Sequence, residues 1–164
     1  MASSLTLTTL RLAPLLSSTC TLLFAHDQHF FLTLFNRPET RKQSTNLIPT
    51  YFRLFFRQGV VIVLGFITIS TATAIANLYT SPANLRANGT YGWYAAGGLL
   101  SFAHLAYVPF VAPHVQTLVD AKEDTNPNDV LDSWLTVNFR RFLTTDLGAW
   151  IAFGVAALGS VRAV

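Results

Sequence analysis

The stretch Val60-Val61-Ile62-Val63-Leu64-Gly65-Phe66-Ile67-Thr68-Ile69-Ser70-Thr71-Ala72-Thr73-Ala74-Ile75-Ala76-Asn77-Leu78 contains no lysine, arginine, aspartate or glutamate. It is close to the ~20 apolar residues that an α-helix needs to cross the hydrocarbon of a bilayer. Outward from it lie three more segments of similar length and polarity, roughly 7–35, 91–113 and 138–161. Of the 164 residues, 51% are hydrophobic and only 12% charged, and the mean hydropathy is +0.41, more apolar than filling a soluble core requires. The expectation is an all-α protein: a four-helix transmembrane bundle in which residues 1–164 form a single membrane domain.

The first 25 residues have the apolar look of a secretory signal. Yet no basic residue opens them, Arg11 interrupts the apolar run, and Leu23 is a poor residue three before a cleavage after Ala25. The first helix is therefore expected to be retained. A single cysteine, Cys20, excludes an intrachain disulfide and a multi-thiolate metal site, and a packing role is expected of it.

The net charge of +3 and a pI near 9.4 do not signify nucleic acid, because the basic residues sort by loop and form no stripe mixed with aromatic rings. Arg37, Arg41, Lys42, Arg53 and Arg57 lie between spans one and two, and Lys122, Arg140 and Arg141 between or at the edges of spans three and four. Arg11, Arg86 and Arg162 fall on the other side, a bias of 8 against 3. The positive-inside rule then puts both termini in the lumen of an internal membrane, the endoplasmic reticulum. The triplet Asn88-Gly89-Thr90, the one glycosylation acceptor pattern, falls in a loop that this topology makes luminal.

The connecting segments read simply. Arg37-Pro38 ends the first helix, because proline lacks an N–H and restricts its neighbour. Residues 51–57 alternate aromatic and basic side chains, as a short headgroup-level helix would. The acidic connection 120–132 is a solvated loop in which Asn128 or Asp129 would cap the next helix. Two stripes of small residues, Gly65, Thr68, Ala72 and Ala76 in span two and Ala149, Ala152, Ala156 and Gly159 in span four, are expected at helix contacts, because close packing drives association in lipid. Glycine-rich phosphate loops, paired Cys-x-x-Cys motifs and G-x-S-x-G elbows are absent from the sequence.

Ionisable residues inside the spans are the candidates for chemistry, since placing them in hydrocarbon is costly. His26 and His29 fall about 60° apart on one helix face, with Asp27 pointing away from His29. A histidine there, or His104 in span three, could take a proton near neutral pH. The alternative for the run from His26 to His29 is a wet membrane interface, and for His104 a single bond to a neighbouring helix. Trp134, Asn138 and Arg141, at i, i+4 and i+7, share one stripe that could stack a flat ring, donate to a carbonyl and neutralise an oxyanion. The alternative is an interfacial Trp and Arg belt. Asp146 lies off that stripe and needs a basic partner from another helix. His26, His29 and His104 make no recognisable metal set, because no carboxylate or second His pair completes it, and no metal is expected.

The sequence Trp134-Leu135-Thr136-Val137-Asn138-Phe139-Arg140-Arg141 opening the last span, with Gly59 following Tyr51-Phe52-Arg53-Leu54-Phe55-Phe56-Arg57-Gln58 in a four-span layout, resembles the anthrone oxygenase-like integral membrane proteins of fungi. The resemblance implies a tailoring enzyme of natural-product biosynthesis. Members oxidise a ring methylene of flat polyketide anthrones to a carbonyl with molecular oxygen as co-substrate and no organic cofactor. Asn138 and Arg141 would face the substrate with Trp134 at the pocket mouth. The His26–His29 cluster departs from the small, apolar stretch expected of the family in helix one.

The leading reading is therefore a cofactor-independent oxygenase that works by acid/base chemistry, with His26, His29, His104 and Asp27 as catalytic candidates and Trp134, Asn138 and Arg141 as substrate-binding ones. The same base and oxyanion clamp would serve a non-redox cyclase or isomerase. A non-catalytic membrane scaffold or carrier subunit stands as the reading from another class. The partners are a lipophilic small molecule and the bilayer, with no nucleic acid; self-association and contact with other pathway enzymes stay open.

Overall fold

A computed structural model describes residues 4–120 and 125–161. The described residues form eight α-helices: α1 (Ser4–Thr33), α2 (Arg41–Ser44), α3 (Ile48–Thr80), α4 (Pro82–Ala87), α5 (Tyr91–Ala103), α6 (Val108–Asp120), α7 (Pro127–Arg141) and α8 (Leu147–Val161). A 3₁₀ turn at His104–Tyr107 joins α5 to α6, and a π-helical turn at Phe142–Asp146 joins α7 to α8. Four rods result, Ser4–Asn36, Ile48–Thr80, Tyr91–Asp120 and Pro127–Val161, of 33, 33, 30 and 35 residues. Each is long and apolar enough to cross a membrane. Among the described residues there is no strand.

The rods extend past the expected spans. Residues 51–57 form the helical entry to the second span, continuous with it in α3, and Pro49 stands at the start of that helix, where a missing N–H costs nothing. Phe52 is fully buried there. The last rod begins at Pro127, capped by Asn126, whose side chain accepts from the Asn128 N–H at 3.1 Å. The expected caps, Asn128 and Asp129, instead lie inside the first turn.

Polarity is arranged for lipid as the solvent. Leu16, Val61, Leu99 and Leu158, one from each rod, are 65–69% exposed, while Ser17, Ser70, Asn77, Ser101 and Ser160 are buried. With no water in hydrocarbon, backbone groups freed by a helix irregularity must find partners within the protein. Pro14, inside α1, cannot bond the Leu10 carbonyl; Asn77 of α3 donates to that oxygen at 2.8 Å. Next to it the Arg11 carbonyl accepts from the Tyr94 hydroxyl at 2.9 Å, which also meets Ser160 at 2.9 Å. Four rods are thus tied together around one proline.

Two apolar cores lie toward opposite ends. One joins Leu32, Ile48, Phe52, Leu118, Leu131 and Trp134; the other joins Ala74, Leu85, Tyr94, Ala149, Phe153 and Ala156. Ala149, Ala152 and Ala156 are buried as expected of the fourth-span stripe, and Gly159 is half-buried. The second-span stripe is a correction: Gly65, Thr68 and Ala72 are exposed on the outer face of α3, and Gly65 has no neighbour where a Cβ would stand. The packing face of that helix is Ile67, Ser70, Ala74 and Asn77. Its order of small and polar residues repeats at nearly the same spacing, so periodicity alone does not separate the two faces. Cys20 is likewise exposed on α1 rather than packed.

A polar clasp fastens the first connection to the start of α7. Arg41 reaches Asp129 at 2.6 Å and Asp132 at 2.8 Å. Asn36 donates to the Asn128 carbonyl at 2.9 Å, and Asn128 donates back to Asn36 at 2.8 Å. The hydrogen bond to Asp132, then the charges of both acids, raise the Arg41 guanidinium above its ordinary value. The first connection, which is basic, and the start of the last rod, which is acidic, therefore lie at one end of the bundle. Arg141 and Arg11, one from each side of the charge count, are buried inside it, so the bias keeps its sign; Lys122 and Arg162 lie outside the described residues.

Helices α5 and α8 approach closely at Gly97. A Cβ on Gly97 would stand 2.5 Å from the Phe153 ring, which is fully buried and cannot retreat. Gly97→Ala is expected to cost about 1–3 kcal/mol, seen as a lower unfolding temperature in detergent micelles. Adding Phe153→Leu should restore part of the loss, and Gly65→Ala should leave the transition where it is. Equal sensitivity of the two glycines would contradict the assignment of inner and outer faces.

Candidate functional site

Between the two cores the bundle interior turns polar, and both helix irregularities lie at that level. Pro109 cannot bond the Leu105 carbonyl; the Val108 N–H takes it instead, three residues on, which tightens the helix into the 3₁₀ turn that holds His104. Opposite, the Leu147 N–H bonds the Phe142 carbonyl, five residues back, which widens the last rod into a π turn. In a regular α-helix Asp146 would sit about 140° round from Arg141. The extra residue in the turn brings the two together: Arg141 Nε lies 3.4 Å from Asp146 Oδ2.

The two irregular turns are joined twice. His104 Nδ1 and Asp146 Oδ1 are 2.8 Å apart and buried, and the Tyr107 hydroxyl meets the Thr144 hydroxyl at 2.8 Å. An ionised carboxylate only accepts, so the His104 Nδ1–H donates and Nε2 is left as the basic nitrogen. Arg141 also donates from Nη2 to the Gln28 side-chain oxygen at 3.2 Å. The contact of Arg141 Nε with Asp146 Oδ2 is a charge contact without hydrogen-bond alignment, and both atoms lack another partner. Trp134 Nε1 and both amide atoms of Asn138 are buried without partners as well.

A cavity of about 160 Å³ adjoins this cluster. Gln28, His104, Tyr107, Arg141 and Trp134 line its polar side; Phe55, Phe56, Gly59, Val60, Val63 and Leu64 of α3, with Leu105, Val108 and Val111, line the rest. Gly59 belongs to the contact of α3 with α1, where a Cβ would come 3.6 Å from Phe24. Trp134 meets Phe52 edge-on, their ring centres 5.3 Å apart.

The expected site residues therefore separate. Trp134, Asn138 and Arg141 are all buried along one stripe, and Trp134 and Arg141 reach the cavity together with His104. His26 and Asp27 lie on the outer surface, 3.3 Å from each other. His29 packs against the Phe139 ring at 5.0 Å and lines a shallow hollow with Thr33, Asp132 and Arg140. These three do not join the cavity. Among the described residues no group of three His, Cys, Asp or Glu side chains could hold a metal ion. Two residues of the cluster had no part in the expected site. Gln28 sits between His26 and His29, and its signal was the 3-and-4 spacing Pro14, Ser18, Thr21, Ala25, Gln28, Leu32 of the buried face of α1. Asp146 was expected to need a basic partner from another helix, and His104 is that partner at 2.8 Å; its approach to Arg141 carried no signal, because the π turn sets its direction.

Three relatives cover nearly the whole chain. Epoxidase pydX of Acremonium sp is 32% identical over 155 residues, 94% of this chain and 96% of its own length. Probable epoxidase scpX of Mollisia scopiformis is 30% identical over 149 residues, 91% of this chain and 94% of its own. Oxaleimides biosynthesis cluster protein N of Penicillium oxalicum is 30% identical over 169 residues, 99% of this chain and 95% of its own. The chain belongs to this fungal family of secondary-metabolite tailoring proteins. None of the three relatives is named for anthrone oxygenation, so what holds of the expected resemblance is its coarser part, a fungal natural-product family. No family model matches the chain, and no solved structure does.

Asp146 balances a buried guanidinium, so its removal leaves an uncompensated charge. Asp146→Ala is expected to cost about 3–5 kcal/mol, measured by thermal unfolding in micelles. Pairing it with Arg141→Met should recover most of that loss. A double variant no more stable than Asp146→Ala alone would show that the pair is not coupled.

Proposed function

We propose that this chain is a membrane-embedded oxygenation enzyme of fungal secondary metabolism, acting on a lipophilic biosynthetic intermediate in the cavity beside His104. The observation that carries the reading is a histidine, oriented by a carboxylate and adjacent to a buried arginine, in an apolar cavity of a family whose members include named epoxidases.

His104 Nε2 removes a weakly acidic proton from the substrate, and Arg141 stabilises the negative charge as it spreads onto the substrate's oxygen. The electron-rich carbanion transfers an electron to molecular oxygen and combines with it at carbon, giving a peroxide once a proton is returned. Loss of water from that peroxide leaves a carbonyl, the anthrone-type outcome. Transfer of its outer oxygen to a neighbouring carbon–carbon double bond gives an epoxide and leaves a hydroxyl. Both outcomes balance with one molecule of oxygen and no external reductant; on this reading the electron-rich anion itself reduces oxygen, without an organic cofactor. The epoxidase names of the relatives favour the second. We assign the protein to the endoplasmic reticulum membrane with both termini luminal, on the loop charge bias; digestion of both terminal tags from the cytosolic side of sealed microsomes would reverse that orientation.

In a deletion strain complemented at matched protein level, His104→Ala should lower the oxygenated product by about 10²-fold or more, the usual worth of a general base, and ¹⁸O₂ should label the product. Arg141→Lys should lower product sharply although charge is kept, because the planar fork is lost, whereas exposed Arg140 should tolerate the same change. His26→Ala should also be silent. Full turnover without oxygen would assign the cavity to a proton shift or ring closure. Product that falls only in step with protein level would return the chain to a scaffold role.

A further inference from the structure

The cavity beside His104 is too small to enclose a natural product of several rings, and its apolar wall is exposed. Val60, Leu64 and Val108 line it and are 38%, 45% and 54% exposed, on rods whose outer faces are built for lipid. The mouth therefore lies in the hydrocarbon zone, between α3 and the start of α6. The inner side is polar: Gln28, His104 and Arg141 line it, and behind it lie unpartnered buried atoms of both kinds, the donors Trp134 Nε1, Asn138 Nδ2 and Arg141 Nε and the acceptors Asn138 Oδ1 and Asp146 Oδ2.

From this we infer that the substrate is a neutral, weakly acidic amphiphile, an enol or phenol on an apolar body, which slides from the bilayer between Val60, Leu64 and Val108, inserts only its oxygen-bearing head, and ionises after docking. The inference rests on the cavity being the active site and adds its substrate class and route. Charge bookkeeping carries it. In the resting cluster Arg141 and Asp146 cancel and His104 is neutral. A permanently charged ligand would add an unbalanced charge in hydrocarbon, at a cost of at least a few kcal/mol. A neutral acid adds none: its proton moves to His104, the O–H bond electrons stay on the substrate oxygen, and two positive groups then face two negative ones. The Arg141 guanidinium, which lines the cavity, receives the new anion, while the body of the ligand stays in lipid.

The test uses fluorescence, so it holds or fails apart from turnover. In a full-length protein carrying Trp93→Phe and Trp150→Phe, Trp134 is the sole tryptophan, and the protein is placed in phospholipid nanodiscs. The probe is 4-dodecylphenol brominated on the ring, whose bromine quenches on contact. Saturable loss of most of the Trp134 emission is expected with the phenol, and little with its methyl ether or with iodide in the water. Leu64→Phe on one wall and Val108→Phe on the other should each weaken the phenol's effect several-fold, and Leu99→Phe, on the outer face of α5, should not. Equal quenching by the phenol and its ether would overturn the acidic head. Efficient quenching by iodide, or plugs no different from Leu99→Phe, would overturn the route through lipid. Saturable quenching with a catalytically silent His104 would keep this inference and remove the reading on which the reaction rests.

Discussion

An arginine buried among four apolar rods is the constraint that the rest of the bundle answers. Arg141 is 7% exposed at the level where the two apolar cores part, and such a charge is retained only with partners close by. One comes from its own rod, through a π turn that carries Asp146 to within 3.4 Å; another comes from α1, through Gln28 at 3.2 Å. Asp146 in turn holds His104 at 2.8 Å. Three of the four rods are therefore coupled through a single guanidinium, and the fourth, α3, supplies the apolar wall that faces it.

The two departures from regular helix are matched rather than independent. A 3₁₀ turn is narrow and a π turn is wide, and here they face each other with two side-chain hydrogen bonds between them. Irregular backbone at membrane depth is tolerated where it is buried or lines a cavity: His104, Leu105 and Tyr107 of the 3₁₀ turn line the cavity, and Thr145 and Asp146 of the π turn are buried. Pro109 explains the first turn by chemistry local to the chain. The π turn has no such local cause; the Arg141–Asp146 contact and the hydrogen bond to His104 exist only when it forms, which places its origin in tertiary pairing.

That difference decides how much could be read in advance. Four spans, the all-α class and the buried stripe Trp134, Asn138, Arg141 followed from hydropathy and from 100° per residue, quantities that a local window contains. The partner of Arg141 did not, because one inserted residue per turn rotates Asp146 by most of a right angle without any mark in composition. His26 and Asp27 are ionisable residues in an apolar run, yet they fall on the outer face of α1 while the next residue, Gln28, falls on its buried face. Helix phase, not depth along the rod, separates them. The small-residue stripe of α3 failed for another reason: in lipid both faces of a helix are apolar, so hydropathy cannot point to the packed one, and only the pairing of Asn77 with the Leu10 carbonyl reveals it.

The same logic bears on why a cavity sits here at all. The polar level separates two well-filled cores, and its members cannot close ranks: Trp134 and Asn138 leave donors unused, and Arg141 meets Asp146 without alignment. A bundle selected for stability alone would satisfy these groups or replace them with leucine, since buried ion pairs give little net stability over well-packed apolar side chains. Keeping them costs folding free energy and leaves them pre-oriented, which is what a site needs if charge is to develop in a dry environment without reorganisation. The stabilising work is done elsewhere, by the Gly97–Phe153 contact, the closure around Pro14 and the Arg41 clasp. Each lies away from the cavity, so the polar level can remain under-satisfied while the four rods stay in register around it.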